Sequence, residues 1–119
     1  MQTERRRALR FPFDAAAEVS REKTDARLPA RVTEIGPNGC YLQMGAPFET
    51  GTSLFLKIFV EGSFFETHVT VVYSQSNAGM GVAFRDLKPY FVEVLRKWLL
   101  TAMTTKQNRA TDVVPAASR

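Results

Sequence analysis

A single cysteine and a single histidine among 119 residues leave little material for several common chemistries. Cys40 has no partner for an internal disulfide, which fits a reducing compartment. With His68 as the only imidazole, no Cys/His set of metal-ligand size can be assembled. No Ser stands in a G-x-S-x-G setting and no Lys in a phosphate-loop setting, so neither motif-borne nucleophilic catalysis nor P-loop chemistry has its residues. No window approaches the roughly 18 consecutive apolar residues of a membrane span. Residues 1–20 carry arginines but no apolar stretch of the kind that drives secretion. These absences predict a soluble cytoplasmic protein, no membrane span, no metal, no cofactor and no enzyme. His68 falls on the strand face opposite Val69 and Val71, and Cys40 lies in an apolar register beside a turn, so both read as structural residues.

What the chain does have is positive charge, concentrated at its ends. The net charge is +4. Arg5, Arg6, Arg7 and Arg10 stand against Glu4 in the first ten residues, and Lys106, Arg109 and Arg119 against Asp112 after residue 100. The body between them is close to neutral, which argues against a broad nucleic-acid footprint. A barrel reading single strands would interleave its aromatics with basic residues, yet Lys57 is the only one between 52 and 73.

Periodicity supplies the architecture. Ala15, Ala17 and Val19 alternate after Pro12, which disfavours a helix there, and a polar loop spans 21–27. Leu28, Ala30 and Val32 alternate in a second strand, the "GPNG" of 36–39 makes a tight turn, and Cys40, Leu42 and Met44 resume on the far side. Residues 52–60 and the long run carrying Phe65, Thr67, Val69, Val71 and Tyr73 on one side flank a turn at 61–63. A short strand with Met80, Val82 and Phe84 follows. The period then changes to 3.6 residues at Phe91, Val94, Leu95, Trp98, Leu99 and Ala102, with Asp86 and Pro89 as start signals. The expected fold is mainly β: a six-stranded antiparallel barrel whose open end is covered by a C-terminal helix. The expected organisation is a flexible basic lead-in over 1–13, the barrel and helix over 14–103, and a disordered tail over 104–119.

Arginine presents planar, bidentate donors suited to phosphate oxygens and to guanine O6 and N7, and its plane stacks on bases. Arg6 and Arg10 are four apart, flanked by Arg5 and Arg7, immediately before a strand. "ERRRALR", the later "TEIGPNGCYL" and the closing "GMGVAF" together resemble a PilZ domain over residues 4 to 100. That family has a six-stranded barrel with a C-terminal helix, and many members bind the bacterial second messenger cyclic di-GMP. Its pattern is R-x-x-x-R in the lead-in and [D/N]-x-S-x-x-G at a hairpin.

The resemblance implies that Arg6 and Arg10, with Arg5 beside them, clamp the ligand's phosphates and a guanine. It places Glu34 where the family has Asp or Asn, Gly36 where it has Ser, and Gly39 at the closing glycine, with Asn38 in the same turn. A missing hydroxyl is worth about 1 kcal/mol, or ~1.5 to 3 if it bonds a phosphate. Glu keeps a carboxylate able to accept from a guanine N–H edge but sets it about one bond length further out. The implied function is nucleotide binding in second-messenger signalling: a cyclic di-GMP receptor that orders its arginine head on binding and passes the signal through a protein partner. The alternative is a PilZ domain that has lost the ligand and works as a protein interaction module, through the helix edge with Tyr90 and Trp98 or through the basic tail.

Overall fold

The computed structural model describes residues 10–24 and 26–117, and of residues 105–117 the backbone alone. Arg5, Arg6 and the rest of the arginine head before Arg10 lie outside the described residues.

Small and branched residues on alternate positions make β1 (Phe11–Arg21) two-faced: Ala15, Ala17 and Val19 are buried while their neighbours are not. The strand begins at Phe11, so the expected lead-in over 1–13 overlaps its first three residues. Pro12 is tolerated near this strand start, as its missing N–H demands. β2 (Leu28–Ile35) and β3 (Gly39–Gln43) form the expected hairpin around 36–38. β4 (Ser53–Val60), β5 (Ser63–Gln75) and β6 (Gly79–Arg85) complete the set. Every pairing is antiparallel, in the order β1-β2-β3-β6-β5-β4, and the return of β4 onto β1 closes a six-stranded barrel. Closure leaves no open sheet edge.

Inside lie Val19, Val32, Ile35, Cys40, Leu42, Leu54, Leu56, Ile58, Phe65 and Met80, all without solvent exposure. Thr67 points inward among them, and its hydroxyl donates to the Arg85 carbonyl oxygen at 2.7 Å, which satisfies the buried oxygen. Two inward expectations fail. Leu28 sits at a strand end and is largely exposed. Tyr73 turns outward because the β5–β6 register shifts between Val71 and Tyr73, and one extra residue in a strand reverses every face beyond it.

The chain leaves β6 through Asp86, which adopts a left-handed φ of 54°. Pro89 then takes the first helical position, where an absent N–H costs nothing, and the Lys88 carbonyl accepts from Val92 at 2.9 Å. The helix α1 (Pro89–Ala117) lays Leu95, Trp98 and Ala102 on the barrel mouth. Trp98 stacks on Phe13 at 5.7 Å between centroids and meets Phe65 at 5.9 Å. The sequence predicts a disordered tail from residue 104, whereas the backbone is helical to Ala117. Residues 104–114 lack an apolar period but contain neither proline nor glycine, so nothing there stops a helix already begun, and Pro115 lies only in its last turn.

Candidate functional site

Strand register brings Arg10, the last arginine of the lead-in, to the hairpin motif. Pro12 of β1 lies opposite Glu34 of β2, and Phe11 lies opposite Ile35, so Arg10 is delivered beside the start of the β2–β3 turn. Its Nη1 stands 3.6 Å from Glu34 Oε1. Both side chains face water, with 36% and 54% of their surfaces exposed, so the pair is open to competition by an incoming anion. The Arg10 charge also reaches the core beneath. Burial pushes the Cys40 thiol up to about 12, and the Arg10 guanidinium opposes that rise. Cys40 is therefore a neutral, buried core residue.

The turn is built from backbone. The Gly36 N–H donates to the Gly39 carbonyl at 2.9 Å, and the Asn38 carbonyl accepts from Phe84 N–H at 2.8 Å, tying the turn to β6. Pro37 and Asn38 are exposed at its tip, while Gly36 and Gly39 are buried. A Cβ on Gly39 would fall on the Val82 carbonyl oxygen, so this closing glycine answers to close backbone approach. Of the expected site residues, Arg10, Glu34, Gly36, Asn38 and Gly39 thus meet at one corner of the barrel; Arg5 and Arg6 lie outside the described residues.

Beyond Glu34 the outer surface carries residues that the motifs do not mark. Glu34, Tyr41, Gly81 and Tyr73 occupy one cross-strand row over β2, β3, β6 and β5. The Tyr41 and Tyr73 rings stack at 6.1 Å with 30° between planes. Tyr41 Oη donates to Gln75 Oε1 at 2.6 Å. Burial, then Tyr73, then the Glu34 carboxylate all push the Tyr41 hydroxyl above its ordinary range, so it remains a neutral donor. Strict alternation points Tyr73 inward, and only the outward-facing glycines 79 and 81 hint in the sequence that something lies over β6.

The other singled-out residues lie elsewhere. His68 Nδ1–H donates to Glu22 Oε2, 2.9 Å away, on the barrel exterior. Trp98 is packed in the core, which removes it from the helix-edge surface, while Tyr90 is 67% exposed. Among the described residues no group of three or more His, Cys, Asp or Glu side chains could hold a metal. No helix among them is long and apolar enough to cross a membrane.

The family model described as PilZ domain matches residues 4–100. No curated relative matches the sequence. Among solved structures, the fold is similar to YcgR from Escherichia coli in complex with c-di-GMP, with a TM-score of 0.74 and 13% identity over 92% of this chain and 50% of that one. It is similar to the Bacillus subtilis inhibitor of motility MotI/DgrA, with a TM-score of 0.68 and 15% identity over 87% of this chain and 52% of the other. The isolated PilZ domain of Escherichia coli YcgR with c-di-GMP superposes with a TM-score of 0.73 at 10% identity, covering 90% of this chain and 98% of that domain. The chain therefore spans about half the length of the two longer neighbours and nearly all of the isolated domain. At such identities the likeness is one of fold.

Proposed function

From the membership of this chain in the PilZ domain family, we propose that it is a cytoplasmic cyclic di-GMP receptor, a regulatory binding domain rather than an enzyme. The observation that carries this reading is the meeting of Arg10 and Glu34 at the β2–β3 turn. A guanidinium and a carboxylate side by side offer a donor for phosphate oxygens and an acceptor for the N–H edge of guanine, the two recognition elements of a guanine nucleotide. In the free protein each partly satisfies the other. A dianionic ligand replaces the Arg10 to Glu34 contact with a stronger charge-assisted bond to phosphate and leaves Glu34 free to accept from the base. Arg5 and Arg6 add to the clamp from the lead-in. Closure of that segment over the ligand changes the surface next to the barrel mouth, and a protein partner reads the change.

Isothermal titration of the full chain with cyclic di-GMP tests the reading. Wild type is expected to bind, and the Arg6→Ala, Arg10→Ala double variant to lose the heat. Equal heats from the two proteins would remove the clamp.

A second reading, an interaction module without ligand, is favoured by Gly36 in the serine position and by exposed Phe59, Phe64 and Tyr90 near the helix start. It expects no heat with cyclic di-GMP and a partner captured equally well with and without it.

A further inference from the structure

We infer that Tyr41 and Tyr73 form an aromatic floor on the outside of the barrel that stacks a purine base of the bound dinucleotide; the inference rests on the receptor reading above. The floor is built by the strand beneath it. β6 turns Gly79 and Gly81 outward on alternate positions. A Cβ at residue 79 would sit 2.8 Å from the Tyr41 hydroxyl and 2.9 Å from its Cε2, and one at residue 81 would sit 2.5 Å from Tyr73 Cζ. Two missing side chains thus let two rings lie down on bare backbone where standing rings would leave no flat surface.

Three further observations give the floor a purpose. The bulge between Val71 and Tyr73 takes Tyr73 out of the core register, where a buried aromatic would contribute most to stability, and leaves it 41% exposed. The bond from Tyr41 to Gln75 fixes one ring in place, so little rotamer freedom remains to be lost on binding. Glu34 is the direct cross-strand neighbour of Tyr41, and Arg10 stands against Glu34. A base lying over the tyrosines therefore has its N–H edge within the reach of the carboxylate and its phosphate on the side of the guanidinium. Gly79, Gly81 and Gln75 act as positioning residues, while Tyr41 and Tyr73 make the contact.

The test pairs affinity with a ring-current measurement. Titrations with cyclic di-GMP on wild type, Tyr41→Leu, Tyr73→Leu and Arg10→Ala are accompanied by the proton shift of guanine H8 in the complex. Each leucine variant is expected to bind about 5- to 150-fold more weakly, the usual worth of one base stacked on an aromatic ring. H8 is expected to move upfield on wild type and less far on the leucine variants, while Tyr73→Phe retains both affinity and shift. Leucine variants that bind like wild type while Arg10→Ala fails would overturn the floor and leave the receptor intact. Should wild type itself not bind, both are withdrawn. If a leucine variant does not fold, an H8 resonance unshifted in the wild-type complex overturns the floor by itself.

Discussion

Arg10, just before β1, and Glu34, the cross-strand partner of Pro12, stand 3.6 Å apart beside the start of the β1–β2 ladder, both in contact with water. An exposed pair of this kind is worth about 0 to 1 kcal/mol to the fold, whereas a hydrogen bond from the same guanidinium to a phosphate is worth about 1.5 to 3. Arg10→Ala should therefore leave the melting temperature nearly unchanged and weaken cyclic di-GMP about 10- to 150-fold in calorimetry. Wild-type affinity should also fall as salt is raised, because the contact is exposed to screening. A variant that melts early but binds normally would show Arg10 to be structural.

Gly39 behaves in the opposite way. Its missing Cβ leaves room for the Val82 carbonyl oxygen, which is backbone and cannot swing aside. Gly39→Ala should cost about 1 to 3 kcal/mol of stability in urea unfolding with no ligand present, through disturbed β3–β6 pairing. An unchanged unfolding midpoint would return this glycine to a role in binding alone.

These two residues also show which parts of the molecule could be read beforehand. The β2–β3 hairpin, the barrel and the helix start follow from short-range signals: alternation around Val32 and Leu42, "GPNG", and Pro89 before a 3.6-residue period. The neighbourhood of Arg10 does not, because it depends on Pro12 pairing with Glu34, a relation between strands that no local pattern encodes. The outward turn of Tyr73 is hidden for a related reason: a bulge is set by the partner strand's register, here β6, and alternation within β5 carries no trace of it. The extent of α1 past Ala102 is not legible because periodicity marks a helix only through its apolar repeat, and the sequence carries no such repeat beyond that residue.

Cys40 makes alkaline stability a measure of core integrity. Burial raises its thiol from an ordinary 9.0 to about 12, with the Arg10 charge opposing. Below about pH 9 the thiol is neutral in both folded and unfolded chains and does not affect stability; between about 9 and about 12 only the unfolded chain releases the proton. Stability should therefore fall progressively as pH rises from about 9 to about 12, and Tyr41, shifted in the same direction, adds to the decline. Urea midpoints across this range should fall less steeply for Cys40→Ala than for wild type. The native thiol should also resist a disulfide reagent until the protein unfolds, and rapid labelling under native conditions would contradict its burial.

Gly36→Ser asks whether the β2–β3 turn faces the ligand at all. Gly36 is buried and its N–H is already bonded to the Gly39 carbonyl, so an added hydroxyl has no backbone donor of its own to serve. In the free protein a hydroxyl without a partner costs about 1 to 3 kcal/mol, so the ligand-free melting temperature should drop. A phosphate of the bound dinucleotide would supply the partner, and the same hydroxyl would then strengthen binding by about 10- to 150-fold. The variant is thus expected to be less stable alone and to gain more than wild type from saturating cyclic di-GMP, measured as the ligand-induced rise in melting temperature. A less stable protein with wild-type affinity would mean that the turn points away from the phosphates. The contact of Arg10 with Glu34 would then have to hold the ligand without it.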